Sequence, residues 1–318
     1  MRSRLRKVYA LKVIYDEWLR LHQNITGYLA MIMMRSRKRR LLVADSSLVV
    51  SLTTYGARLR DFHLTLESLV RQDITEPFAV HVHLSAEDLP NGDVPERLKY
   101  LAQHGVRFFV HSRNLRSYKK LVYEYMDSGA NIVVTADDDV IYPGDWLRRL
   151  FQAHLKNPTA VVAFRAHFLK LSTEHAFIPY REMMGIKNSD GSRLIPRFDL
   201  MPTGVSGVLY PPASLDPLVR DDATFMKLAP SADDIWFKIA SMKRGTRCVQ
   251  VERKNRAFPF VPHSQSHGAL HEENVARGRN DVQLKLCFDA YPELYSLVKE
   301  PLVSGQDPEL LHVGASND

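Results

Sequence analysis

The sequence predicts an α/β protein, a mostly parallel sheet flanked by helices, behind a basic helical extension. Three observations carry this. Short β-branched runs alternate with helical patterns from Leu48 to Phe164, and the connections between them are only a few residues long. The 318-residue chain is also 45% hydrophobic, which supports a substantial core.

The extension stands apart by charge. Residues 1–40 hold 11 of the 43 Lys/Arg and 2 of the 36 Asp/Glu, a net of +9, which leaves 32 basic and 34 acidic residues, a net of −2, for the rest. The overall +7 therefore belongs to one segment, and no nucleic-acid partner is expected. Leu5, Val8, Leu11, Tyr15 and Trp18 recur at helical spacing among Arg4, Lys7, Lys12 and Arg20, and RSRKRR follows at residues 35–40. Such a helix either docks on its own domain with a solvated charged face or meets an anionic membrane surface through residues 1–40.

The longest apolar run there, YLAMIMM, falls far short of the roughly 20 residues a membrane span needs. Cys248 and Cys287 make no disulfide framework, and no secretory pattern opens the chain. The expected location is cytoplasmic, peripheral on the inner face of the cell membrane if the extension binds there.

The elements follow in order. LVVSLT precedes a helix near Arg60 to Gln72, AVHVHL one near Val94 to Gln103, and VRFFV one near Ser117 to Met126. NIVVTA is followed by a helix near Gly144 to Asn157 and then AVVAF. In such sheets ligands bind beyond the carboxyl ends of the strands. Neither a P-loop nor a dinucleotide glycine fingerprint follows the first strand. After residue 165 the pattern loosens, then resumes with PTGVSGVLYPP, a helix from near Ser231 and the strand TRCVQV. With no repeat or Gly/Ser linker, the expected organisation is an extension (1–46), one catalytic domain (47–300) and a tail (301–318).

Asp137, Asp138 and Asp139 end the NIVVTA strand. At about 4 Å and an effective dielectric near 20 each pair repels by roughly 4 kcal/mol, so something positive has to compensate. If the strand stays extended, alternation sends Asp137 and Asp139 to one side and Asp138 to the other. Converging carboxylates suit Mg2+ or Mn2+, with phosphate oxygens completing the shell. The plain alternative is a solvated acidic turn.

VTADDDVIYP, with SLTTYGARL upstream and SADDIWFK downstream, resembles the GT-A fold glycosyltransferases, in particular inverting bacterial enzymes similar to family 2, over roughly residues 47–290. The resemblance implies a Rossmann-like GT-A domain. It implies metal-dependent transfer of a hexose from a nucleoside diphosphate sugar to a hydroxyl of a glycan or glycolipid acceptor, in bacterial surface polysaccharide synthesis. Mn2+ or Mg2+ would sit on Asp139 and Asp137, with Asp137 and Asp138 toward the nucleotide. Thr53, Tyr55 and Arg58 map onto the donor contacts, Gly204 and Gly207 onto the acceptor or donor loop, and Asp234, beside Asp233, onto the catalytic base. One of His263, His267 and His271, with His263 preferred, would complete the metal shell.

The sequence also departs from that pattern. The acidic residue that usually ends the second strand is absent, and HLSAEDLP offers Glu87 and Asp88 displaced from it. Lys119 and Lys120 read most simply as helix surface, with Lys120 carried as a phosphate contact. Ser231 and Asp234 also suit a helix N-cap and its capping-box partner. Asn280, Asp281 and Gln283 form an N-D-x-Q resembling one in related bacterial enzymes. A retaining GT-A enzyme and a catalytically silent carbohydrate-binding or scaffold protein are the rival readings. A two-metal phosphoesterase lacks its paired His and Asp motifs.

Overall fold

The computed structural model describes residues 2–89, 92–127, 131–187, 190–264 and 278–299, with backbone alone for residues 2–14, 126 and 127. Among these residues one sheet of seven strands has the order β11-β5-β10-β4-β1-β2-β3. Within it β1 (Leu48–Thr53) is hydrogen-bonded in parallel to β2 (Ala79–Ser85) on one side and β4 (Ile132–Ala136) on the other. β3 (Val106–His111) continues the parallel run beyond β2. β1, β2 and β4 are buried on both faces, which is why they are rich in Val, Leu and Ile, whereas β3 at the edge is partly exposed. Alternation divides them between two cores: Val133 and Val208 face one, with Tyr118 and Trp236, while Val134 and Leu209 face the other, with Leu66 and Trp146.

The sheet is mostly parallel, as expected, and one strand runs against the rest. β10 (Val208–Tyr210) lies antiparallel between β4 and β5 (Val161–Ala163), and β11 (Cys248–Gln250) then pairs in parallel with β5. β10 follows β9 (Leu200–Pro202), a strand outside this sheet, through a single turn at Gly204–Ser206. The stretch read as loose after residue 165 also holds structure. β6 (Ala166–Phe168) pairs with β9, β7 (Leu171–Thr173) pairs with β8 (Ala176–Phe177), and α6 (Tyr180–Gly185) follows. Elements of two to six residues are shorter than the window in which periodicity shows.

Helices α2 (Phe62–Leu69), α3 (Glu96–Ala102), α4 (Lys119–Asp127) and α5 (Trp146–Lys156) follow β1 to β4 in turn. After α7 (Asp222–Leu228) come α8 (Asp233–Lys243) and α9 (Arg279–Ala290), which pack on one another near the site.

The N-terminal helix α1 (Arg2–Arg35) docks on this body through one face. Gly27 is buried against the Phe260 carbonyl and the Pro262 ring, too close for a Cβ, and Met34 packs with Ile141 and Val261. Part of the RSRKRR run is structural. Arg39 makes a two-pronged pair with Glu67 at 3.0 and 2.7 Å, Arg71 and the Tyr100 hydroxyl join the same carboxylate, and Arg37 lies half-buried against Gly144. Tyr15 and Trp18, expected on the apolar stripe, are exposed.

Candidate active site

β1 and β4 end side by side, and the aspartates occupy the turn that follows β4. Three contacts hold this turn. The Asp137 N–H donates to the Tyr142 oxygen at 2.9 Å, Thr65 Oγ1 to the Asp138 carbonyl at 2.9 Å, and the Val261 N–H to the Asp139 carbonyl at 2.7 Å. Because the strand stops at Ala136, its alternation does not reach the carboxylates. Arg58 Nη1 donates to both Asp138 Oδ1 (2.6 Å) and Asp139 Oδ2 (2.9 Å), and Thr54 Oγ1 to Asp138 Oδ2 (2.7 Å). Asp137 turns the other way and accepts from Lys120 Nζ at 2.9 Å. The expected convergence of Asp137 and Asp139 is thus replaced by an Asp138–Arg58–Asp139 set and a separate Asp137–Lys120 pair.

Two cations of the chain supply the compensation that the triple aspartate demands. Burial works against the Arg58 guanidinium, but Asp138 and Asp139 raise its pKa above the ordinary value. Burial pushes the Asp138 carboxyl upward, opposed by Arg58 and Thr54. Lys119 and Lys120 are not helix surface: both are buried at the start of α4. Burial would lower Lys120, yet Asp137, Asp233 and Asp234 hold it well above the ordinary lysine range, so it stays charged. Lys119 instead closes the end of β2, where its ammonium, lowered by burial, donates to Ser85 Oγ at 2.6 Å and Asn114 Oδ1 at 3.0 Å. Glu87 and Asp88 gather around the same Asn114 amide.

Lys120 joins the first acidic cluster to the second. Its Nζ is 3.1 Å from Asp233 Oδ2, an ion pair outside hydrogen-bonding geometry. Asp234, at the N-terminus of α8, accepts the Gly204 N–H on Oδ2 at 3.0 Å. A Cβ on Gly204 would lie 3.0 Å from both Asp234 Oδ1 and Lys120 Nζ, so only glycine leaves this approach unstrained. Burial and then the neighbouring Asp233 push the Asp234 carboxyl up to about 7, against the pull of Lys120 and the Gly204 N–H. A carboxyl poised there exchanges protons near neutral pH. The capping-box alternative does not hold: Ala232 is the N-cap, and the Ser231 N–H donates to Gln283 Oε1 at 2.9 Å.

The remaining predicted residues fall as follows. Thr53 Oγ1 donates to the His83 carbonyl at 2.6 Å, while the exposed Tyr55 ring lies 5.7 Å from the Arg58 guanidinium. Gly207 answers a packing demand, for its φ is +92° and a Cβ would stand 2.5 Å from the Trp146 indole. His263 sits against α1, with Nε2 3.3 Å from the Tyr28 hydroxyl and its N–H on Asn24 Oδ1 at 2.9 Å. His267 and His271 lie outside the described residues.

Among the described residues no group of three or more His, Cys, Asp or Glu is placed to hold a metal, so Asp137, Asp139 and His263 do not form the expected three-ligand set. The charge nevertheless suits a cation, since five carboxylates (Asp137, Asp138, Asp139, Asp233, Asp234) face two side-chain cations, Arg58 and Lys120. Hard oxygen donors on one turn fit a divalent ion that brings phosphate oxygens with it rather than a preformed protein cage.

Sequence reasoning missed several groups here. Thr54 was legible as the neighbour of Thr53, and Tyr142 only through the turn it braces. Tyr180 is hydrogen-bonded to Asn280, and burial and then Asp234 raise its hydroxyl pKa. Among the described residues Thr203 Oγ1 and Asn280 Oδ1 are buried without hydrogen-bond partners. The N-D-x-Q now has a mechanical role. Asp281 Oδ1 accepts the Tyr180 N–H at 2.6 Å and Gln283 anchors Ser231, so the first turn of α9 ties α6 to the segment that presents Asp233 and Asp234.

No family model and no curated protein matches this chain. Among solved structures it is similar to S. aureus TarS, at 17% identity over 66% of this chain with a TM-score of 0.42. That match spans 59% of the TarS chain, less than two thirds of its length. It is also similar to a mannosyltransferase, PcManGT from Pyrobaculum calidifontis in complex with GDP-Man and Mn2+, at 14% identity over 90% of this chain and 83% of that one, with a TM-score of 0.42. Both likenesses are distant, and neither bears on the chemistry of the site.

Proposed function

We propose that this protein is a metal-dependent GT-A glycosyltransferase that moves a sugar, of hexose type, from a nucleoside diphosphate donor to an acceptor hydroxyl with inversion. The acceptor is a glycan or glycolipid of bacterial surface polysaccharide synthesis. The observation that carries the reading is Asp234, a carboxyl pushed up to about 7 and joined through Lys120 to the aspartates at the carboxyl end of β4.

In this reading Asp234 takes the proton of the acceptor hydroxyl as that oxygen bonds to the anomeric carbon and the bond to the diphosphate breaks. The Gly204 N–H fixes the orientation of Asp234, and Lys120 keeps Asp233 and Asp137 in place around it. Arg58 and Lys120 supply positive charge near the departing diphosphate, and Tyr55 offers an exposed ring for the nucleobase. A divalent ion held on the aspartate turn through Asp139, when bound with the donor, would neutralise charge on the diphosphate oxygens. A thermal-shift screen of nucleoside diphosphates and their sugars, with and without Mn2+, tests this. A ligand at 100 times its Kd adds about 2.7 kcal/mol of stability. Stabilisation by at least one nucleotide that grows with Mn2+ supports the reading, and no response to any nucleotide removes it.

A further inference from the structure

α1 has two faces. Gly27, Ala30, Met31 and Met34 lie toward the domain. On the opposite side Trp18, Leu21, Ile25, Leu29 and Ile32, three or four residues apart, are between 50% and 65% exposed. At 1.5 Å per residue this stripe is about 21 Å long, flanked by the exposed Tyr15, Tyr28 and Met33. Soluble surfaces rarely leave so much contiguous apolar side chain without a partner.

We infer that this face docks on an anionic lipid bilayer, with α1 lying in the plane of the headgroups. The charge names the occupant. Positive charge flanks the stripe at both ends: the sequence supplies Arg2, Arg4, Arg6, Lys7 and Lys12 before it, and Arg35 and Lys38 stand exposed after it. A second copy of the chain would bring the same positive charge to the same face, whereas acidic headgroups neutralise it. Trp18, Tyr15 and Tyr28 have the apolar body and polar edge that suit a bilayer interface.

The docked helix is also close to the chemistry. Asn24 holds the His263 N–H, and the same segment bonds the Asp139 carbonyl through the Val261 N–H. Membrane-bound α1 therefore carries the aspartate turn with it to the lipid surface. If the transfer reading holds, the acceptor is lipid-linked; the membrane contact itself does not rest on that reading.

Of the three tryptophans, Trp146 and Trp236 are fully buried, so intrinsic fluorescence reports on Trp18. The full chain is titrated with phosphatidylcholine vesicles containing phosphatidylglycerol and with pure phosphatidylcholine vesicles. The expected result is a blue shift with the first, absent with the second and weakened by high salt. Ile25→Glu combined with Ile32→Glu should lower partitioning at least about tenfold with an unchanged melting temperature. Cosedimentation of the unaltered chain reads the same partitioning without any variant. No shift with anionic vesicles overturns the proposal, as does an equal shift with neutral ones. A blue shift in vesicle-free buffer that rises with protein concentration, together with a doubled mass by light scattering, assigns the face to a second copy instead. A chain that binds no nucleotide can still pass this test, so its failure and that of the transfer reading are distinguishable.

Discussion

The Gly204 N–H donates to Asp234 Oδ2 at 3.0 Å, and the absence of a side chain at residue 204 leaves this contact unstrained. The two glycines of this segment therefore behave differently. Gly204→Ala presses on Asp234 and Lys120, whose side-chain ends can shift, so it should fold but lose turnover, roughly tenfold or more. Gly207→Ala has to adopt a left-handed backbone and displace the Trp146 ring, and should cost roughly 2–3 kcal/mol of stability. Urea unfolding together with a donor-turnover assay separates the two outcomes.

A base with its pKa near 7 imposes a pH profile. Asp234 is active when ionised, so donor turnover should rise through about pH 7 and level off above it. Lys120 lowers the Asp234 pKa, so Lys120→Met should move that limb to higher pH if the variant still folds. The stability consequence has the opposite sign. The folded carboxyl is raised from 3.8 to about 7, so stability falls as pH rises across that interval, and Asp234→Asn should melt higher than the parent at pH 8 but not at pH 4.

Arg58 neutralises two carboxylates at once. Arg58→Met leaves the buried Asp138 without its cation and should destabilise the protein by about 3 kcal/mol. Adding Asp138→Asn removes the stranded charge and should recover part of that loss. Chemical denaturation of the single and double variants checks the coupling.

Away from the site, Glu124 on α4 accepts from His81 Nδ1 and His83 Nε2, each at 2.7 Å. Burial would raise Glu124, but the two histidines bring it down to about 2 from the ordinary 4.5. This stabilisation is complete above pH 4.5 and is lost as pH falls toward 2. Glu124→Gln should therefore cost on the order of 3 kcal/mol at pH 7, with the gap to the parent closing in acid. Denaturation midpoints measured from pH 7 to pH 3 test it.

What the sequence disclosed depended on the length of the signal. The βα repeat from Leu48 to Phe164 showed because β-branched runs alternate there with helical patterns across short connections, and Asp137 to Asp139 and the Asp233–Asp234 pair showed as clustered charge beside apolar runs. β10 was missed as an antiparallel insertion because three residues do not reveal direction. Lys119 and Lys120 looked solvated because their partners, Ser85, Asp137 and Asp233, lie elsewhere in the chain and meet them only in the fold. The alternation argument at Asp137 to Asp139 failed because a strand's period ends where the strand does, and Tyr142 and Thr65 impose a turn there.

The central claim is that Asp234 is the base of a glycosyl transfer. Its most direct test is nucleoside diphosphate release from a panel of nucleotide sugars with Mn2+, in the presence of glycan and glycolipid acceptors, by the parent and by Asp234→Asn. The account predicts release by the parent from at least one donor. It also predicts a drop of at least about 100-fold in the variant, mainly in kcat, with nucleotide binding retained. Turnover by Asp234→Asn equal to the parent's, or no release by the parent from any donor, contradicts it.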